Sequence, residues 1–493
     1  MAANMVAAFR RNAGDGGASA GYDQSIMTDA AARYISTRGD TTPTDFADAL
    51  LRGMAPDGGL YMPSAWPKLT PGATAPGQSY VQIAGAAMAP YIGDALPEGA
   101  LDRALQKLVA GFDDPAVTPL VQLADDLWML ELWHGPTAAF KDLAMQLAAA
   151  LSAEALAASG ERLTLVTATS GDTGAAAVNA FANKAGIDLI VLHPLDRVSA
   201  VQRRQMTTVE ADNVLNLAIR GDFDDCQRLV KGLLSEESLR ERSRFSSVNS
   251  INWARLAGQI PYYISASMQL AAAGETRAPT FVVPTGNFGD AFAGIAARKM
   301  GLPVAGFVAA VNQNDALARA INDGLYARRA AVETASVSMD VQAPSNFERL
   351  VFEASGRDAA ATRAVFEAFA RDGQTTLPAD LLTALRAEVS AVSVDEATTR
   401  AEIAHAYETY GKVVCPHTAV ALSAARKQLN GSGPVVALST AHAAKFGKDV
   451  APVVGFDPDP PRVIRELGDR PERLTVIEAT PEAALAAVRW FRS

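Results

Sequence analysis

From Pro119 onward the chain alternates short β-rich apolar runs with longer alanine-rich stretches, and no other feature constrains its fold as tightly. Leu127 to Trp133, Leu163 to Thr169 and Leu189 to His193 read as strands, with helices over Thr137 to Ala158 and Gly174 to Ala185 between them. Such alternation builds βαβ units, and therefore a parallel sheet. The pattern returns at Phe281 to Pro284, Gly289 to Met300, Val304 to Val311 and Val435 to Leu438, enough for a second sheet. Residues 314–410 read as mostly helical with charged faces and with little that resembles a buried strand, hence as an insertion. Upstream, Asp45 to Asp102 reads as helices and turns, with Pro56-Asp57-Gly58-Gly59 a strong turn signal. The expected fold class is α/β: two open, mostly parallel sheets flanked by helices, plus a helical N-terminal domain and the helical insertion. The expected boundaries are a flexible extension over 1–26, an N-terminal domain over 27–112, a large domain over 113–135 and 246–493, and a small mobile α/β domain over 136–245. Met27 is a candidate alternative start.

Composition narrows the class of activity. Lys and Arg number 44 against 54 Asp and Glu, so the net charge is −10, and no long basic run offers a nucleic acid or an anionic membrane a surface. The most apolar stretch, Leu143 to Ala158, is interrupted by Gln146, Ser152 and Glu154, which argues against a membrane span. Cys226 and Cys415 are the only cysteines and belong to no Cys/His cluster, so neither a disulfide framework nor a metal site is expected; a reducing cytoplasm fits.

The chemistry concentrates in a few turns. In Leu132 to Gln146, a turn-led apolar run delivers Lys141 to a helix start, beside Phe140, Leu143, Ala144 and Met145. A lysine in dry surroundings loses ammonium character and becomes an amine able to attack an aldehyde, although a lysine snorkelling from a first helical turn would read similarly. Pro284-Thr285-Gly286-Asn287-Phe288-Gly289-Asp290 follows a strand and opens a helix, the setting of a phosphate cradle, without a Walker lysine or a dinucleotide glycine spacing. Thr169-Ser170-Gly171-Asp172-Thr173-Gly174 offers hydroxyls and amides at another strand-to-helix junction, suited to a carboxylate or phosphate and equally to plain capping. Asn249, Ser250, Asn252 and Arg255 gather donors suited to a dianion, and Ser439-Thr440 closes a buried strand with hydroxyls.

Six stretches together resemble the threonine synthases, pyridoxal-phosphate enzymes of the tryptophan-synthase-β, or fold-type-II, family. They are Ile35 to Gly39, Ala55 to Tyr61, His134 to Thr137 with Phe140-Lys141-Asp142, Ser170 to Gly174, Asn249 to Asn252 and Gly286 to Asp290, and the likeness runs from Tyr34 to about Lys445. The resemblance implies pyridoxal 5′-phosphate as cofactor, in Schiff-base linkage to Lys141. It implies that Gly286, Asn287, Phe288, Gly289 and Asp290 hold the cofactor phosphate and that Thr440 faces the pyridine nitrogen. It places the substrate carboxylate at Ser170, Gly171, Asp172 and Thr173, and the substrate phosphate at Asn249, Ser250, Asn252 and Arg255. The implied reaction converts O-phospho-L-homoserine and water to L-threonine and phosphate in the cytoplasm, by a monomer or homodimer, with no metal, nucleic acid or membrane partner. Cys415 stands where the family favours an acidic residue, which leaves the role of that turn open, as are the roles of His134 and His417. Two rivals remain: a related lyase that releases phosphate and 2-oxobutyrate, and a non-enzymatic nucleotide- or phosphate-binding module that would show no dependence on Lys141.

Overall fold

The computed structural model describes residues 33–70, 77–240 and 243–491; the expected extension over 1–26 and the Met27 start lie outside them. Two sheets carry the architecture. The larger runs Ser390–Ser393, Gly306–Val311, Thr280–Pro284, Val435–Ser439, Leu127–Glu131 and Leu120–Ala124, parallel throughout except for the last, antiparallel edge strand. The second runs Thr475–Glu478, Val214–Arg220, Ile187–Pro194, Leu163–Ala168 and Arg244–Ser246, all parallel. Central strands buried on both faces favour apolar residues throughout and admit a polar one only where it finds a partner, as Thr164 does in Ser243 and Thr167 in Asn249. In Leu163–Ala168 all six residues are accordingly buried, with Leu163 and Leu165 in one core cluster and Val166 and Ala168 in another.

Two expectations are corrected. The 314–410 stretch is not an insertion apart from the sheet: Ser390–Ser393 pairs in parallel with Gly306–Val311 as its edge strand, placing Ala391 and Val392 in different core clusters. The C-terminal stretch, assigned to the large domain, instead adds Thr475–Glu478 to the smaller sheet, and the helix Pro481–Phe491 buries Ala484 and Val488 against Leu229 and Leu233. Edge strands expose one side of their backbone and tolerate polar residues, so neither reads as a buried run.

The N-terminal segment is welded to the larger sheet's helices. Tyr34–Ser36 and Tyr61–Pro63 form an antiparallel pair, and Tyr34, Trp66 and Tyr91 ring the fully buried Trp253 at centroid separations of 5.5–6.2 Å. Arg349, also fully buried, lies 5.7 Å over Trp253 and donates to the carbonyls of Tyr61 (3.1 Å) and Ile251 (2.6 Å) and to Asn346 Oδ1. A buried guanidinium needs its donors satisfied; here that requirement links the N-terminal pair, the 249–253 turn and the segment bearing Asn346.

Candidate active site

Four connections leave the carboxyl ends of strands in the two sheets and meet, the place where open α/β sheets present their ligands. The first carries Lys141, opening the helix Lys141–Ser159. This helix starts later than its sequence suggests, because residues 137–140 form the turn that aims the lysine. Asp142 caps that turn, accepting from Thr137 N (2.8 Å) and Thr137 Oγ1 (2.6 Å). The turn is stitched to the 440–442 connection by Phe140 N to Thr440 O (2.8 Å), His442 N to Ala138 O (3.1 Å) and an Ala139–Ala441 bridge. Lys141 and Thr440, 299 positions apart, are thereby held to one backbone frame.

The side chain of Lys141 is 13% exposed, with Nζ 3.7 Å from Asp172 Oδ2 and 4.7 Å from the Phe140 ring centroid. Burial lowers its proton affinity below the usual lysine range; Lys445 and Arg255 push the same way, while Asp172 and Asp290 oppose. Asp172 shows the reverse balance. Burial alone would raise its carboxyl, but Lys445 and Lys141 hold it far below the ordinary carboxylate range.

In the 169–174 turn, Thr169 Oγ1 accepts from Gly171 N (2.9 Å) and Gly174 N (2.8 Å). Gly171 has φ +135° and is pressed against the Gln202 side chain, so only glycine serves there. In the 286–290 turn Phe288 occupies the left-handed region (φ +63°) with its side chain 1% exposed, and so presents backbone alone at the turn. A Cβ on Gly286 would strike the Ser338 carbonyl oxygen. Asn287 O accepts from both the backbone N and Nδ2 of Asn346, each at 3.1 Å, and Asn346 Nδ2 also reaches Ser250 Oγ at 3.3 Å. Asp290 points back into the protein: its Oδ1 accepts from Tyr262 and Tyr263, and burial pushes its carboxyl up to about 6. A close-packed, glycine-bearing turn opening the helix Gly289–Lys299, with the buried lysine across from it, fits the phosphate and aldehyde of pyridoxal phosphate.

The expected substrate donors divide. Asn252 is committed at both ends, its Oδ1 capping Ala254 N (3.0 Å) and its Nδ2 donating to Leu50 O (2.7 Å). Asn249 accepts from Thr167 Oγ1 at 3.0 Å. Arg255 is 5% exposed; its Nη1 donates to Val248 O and its Nε has no hydrogen-bond partner among the described residues. Burial lowers its guanidinium to about 10.

Sequence reasoning passed over Gln202, Asn346 and Lys445 and left His417 without a role. His417 Nε2 accepts from Ser338 N at 3.2 Å, so the ring is neutral with its proton on Nδ1, 3.8 Å from Cys415 Sγ. It therefore buttresses the carbonyl segment that closes on Gly286. His134 pairs with Glu131 (2.9 Å) and stacks on Trp133 (4.1 Å). Burial pulls His417 down to about 4. An unfolded histidine protonates near 6.5, so acidification from about 6.5 to 4 loads the unfolded state with a proton that the native state refuses, and native stability falls across that window. His417→Asn is expected to remove roughly 3 kcal/mol of that acid sensitivity. Denaturant titrations of both proteins at neutral and acid pH check this; parallel pH dependences would refute a neutral buried ring.

Comparison with known proteins settles the class. A family model described as pyridoxal-phosphate dependent enzyme matches residues 112–379, flanked by threonine synthase N-terminal (33–108) and C-terminal (418–489) models. A threonine synthase of Pseudomonas aeruginosa is 42% identical over 449 residues, 90% of this chain and 95% of that one. The chain belongs to the threonine synthase family. Among solved structures, pyridoxal-phosphate-bound threonine synthase from Brucella melitensis superposes with a TM-score of 0.89 at 43% identity, covering 94% of this chain and all of the other. Threonine synthase from yeast gives 0.88 at 32% identity, covering 94% and 99%. As in its fold-type-II relatives, parallel sheets flanked by helices carry the site, and among the described residues no helix is long and apolar enough to cross a membrane.

Proposed function

We propose that this threonine synthase family member converts O-phospho-L-homoserine and water to L-threonine and phosphate, with Lys141 as both cofactor anchor and proton carrier. The observation that carries the reading is the convergence of a buried, weakly basic lysine with two anion-suited turns and an arginine that has no acidic partner among the described residues. Pyridoxal phosphate, when bound, supplies a conjugated ring that draws electrons from the bonds at the substrate's α-carbon. Gly286 to Asp290 hold its phosphate through backbone amides and Asn287, and Thr440 faces the ring nitrogen, where a hydroxyl accepts or donates without fixing a positive charge. Ser170 to Thr173 take the substrate carboxylate. Arg255, with Asn249 and Ser250, takes the substrate phosphate; Asn252 supports that turn from beneath. Once free, the Lys141 amine would take protons from Cα and then Cβ, so that phosphate leaves from Cγ; one proton returns to Cγ, water gives its hydroxyl to Cβ and its proton to the departing phosphate, and the other proton returns to Cα. Buried surroundings keep stray water from the reacting carbons, and movement of the smaller sheet's unit (136–246 with 475–491) over the cofactor would extend that protection. Both cysteines are free and buried, in keeping with a reducing cytoplasm.

The deciding assay follows threonine, 2-oxobutyrate and phosphate after O-phospho-L-homoserine is added to the cofactor-loaded protein. Threonine and phosphate are expected in equal amounts. Phosphate with 2-oxobutyrate would move the protein to the lyase reading, and no phosphate release would refute both.

A further inference from the structure

Lys445 is a second buried lysine at the site, and the reaction assigned above gives it no task. It lies in the single-turn segment Ala443–Phe446, downstream of Thr440, with its side chain 0% exposed. Its Nζ donates to Thr137 O at 2.7 Å and meets Asp172 Oδ1 at 2.8 Å. Gln202 Nε2 donates to the same oxygen at 2.9 Å. One carboxylate oxygen of Asp172 is thus saturated by two donors, while the other, Oδ2, faces Lys141 at 3.7 Å, beyond hydrogen-bond reach. Asp172 follows a strand of the smaller sheet and Lys445 a strand of the larger, so the contact also closes the seam between the two sheets beside the reacting lysine.

A buried carboxylate next to a lone lysine would hold that lysine as an ammonium ion, useless as a nucleophile or base. A second cation on the carboxylate's far side removes that grip in two ways: it engages the anion, and it repels a second positive charge nearby. We propose that Lys445 is a positioning residue for Lys141, holding Asp172 from the opposite side so that the carboxylate orients the Lys141 amine without keeping it protonated. The proposal rests on Lys141 being the cofactor anchor. The titratable and charged groups facing Lys141 are Asp172, Lys445, Arg255, Asp290 and the buried imidazole of His417; of these, Asp172 is shared with Lys445, Arg255 has no acidic partner among the described residues, Asp290 is tied to two tyrosines and His417 accepts from Ser338 N.

The test uses the full-length protein stripped of cofactor. The rate at which Lys141 takes up pyridoxal phosphate into a borohydride-reducible bond is measured against pH, and the labelled peptide is located by mass. In Lys445→Met the midpoint of the pH–rate curve is expected to rise by about one unit, a roughly tenfold slower uptake at fixed neutral pH. Lys445→Arg, which keeps the charge, is expected to stay within about threefold of wild type. Asp172→Asn is expected to shift the midpoint the other way, because Lys141 loses the carboxylate that favours its ammonium form. A Lys445→Met midpoint equal to or below wild type overturns the proposal, since a merely structural lysine would lower stability without raising the midpoint. If Lys445→Met does not accumulate folded, Lys445→Gln decides on the same curve: a raised midpoint supports the proposal and a wild-type midpoint overturns it. Wild-type protein that takes up no label at Lys141 would instead refute the anchor on which the proposal stands.

Discussion

Lys141→Ala is expected to abolish threonine formation, by about a thousandfold or more, while leaving the fold intact. The loss is large because, on the proposed reading, one side chain serves as nucleophile toward the cofactor and as base at successive carbons, and general-base removal alone costs about 10²- to 10⁴-fold. The fold survives because alanine is a strong helix former and the deletion relieves a buried amine whose charge is already disfavoured. Cofactor should still enter the 286–290 turn, so the variant is expected to bind it reversibly and to release it on dialysis after borohydride, whereas wild type retains a covalent label. A variant that keeps borohydride-fixed cofactor would mean that another amine is the anchor, and Lys445 would be the first to inspect.

Gly286→Ala is expected to raise the cofactor dissociation constant about a hundredfold, equivalent to about 2.7 kcal/mol, and to destabilise the protein by about 1–3 kcal/mol. The added methyl meets the Ser338 carbonyl oxygen, a backbone atom whose own amide is held by His417, so neither side can yield cheaply. The turn must therefore open where it should close on a phosphate. Gly232→Ala is the control: it lies inside the helix Phe223–Ser235, its Cβ meets nothing within 4 Å, and it should be neutral or stabilising. Equilibrium dialysis of the cofactor together with denaturant melts separates the two variants; equal affinities would show that the 286–290 turn is not the phosphate cradle.

Much of this site was legible in the chain because its determinants are local. The alternation of apolar runs and alanine-rich stretches specified parallel sheets, since a strand buried on both faces admits few polar residues and a crossover needs a helix's length. Lys141 and the glycines at 171, 286 and 289 announced themselves through spacing around turns, where backbone geometry restricts residue type. Donor content was equally visible in Asn249, Ser250, Asn252 and Arg255, but its direction was not. Asn252 turns inward to Leu50 and Arg255 to Val248 because packing, rather than composition, decides which side of a turn is covered. The half-polar edge strands Ser390–Ser393 and Thr475–Glu478 take their identity from a neighbour supplied by a distant segment.

The order of residues along the chain was enough for the α/β class and the family, and for singling out Lys141 and the 286–290 turn as candidates, because each depends on residues within a few positions of one another or on their succession. How charge is shared around Lys141 is set by the folded interior. Asp172 lies between Lys141 and Lys445, although 304 positions separate the two lysines, and Lys445 reaches Thr137 across 308. Such contacts leave no local trace because Coulomb interactions and burial depend on distance through the folded interior, not along the chain.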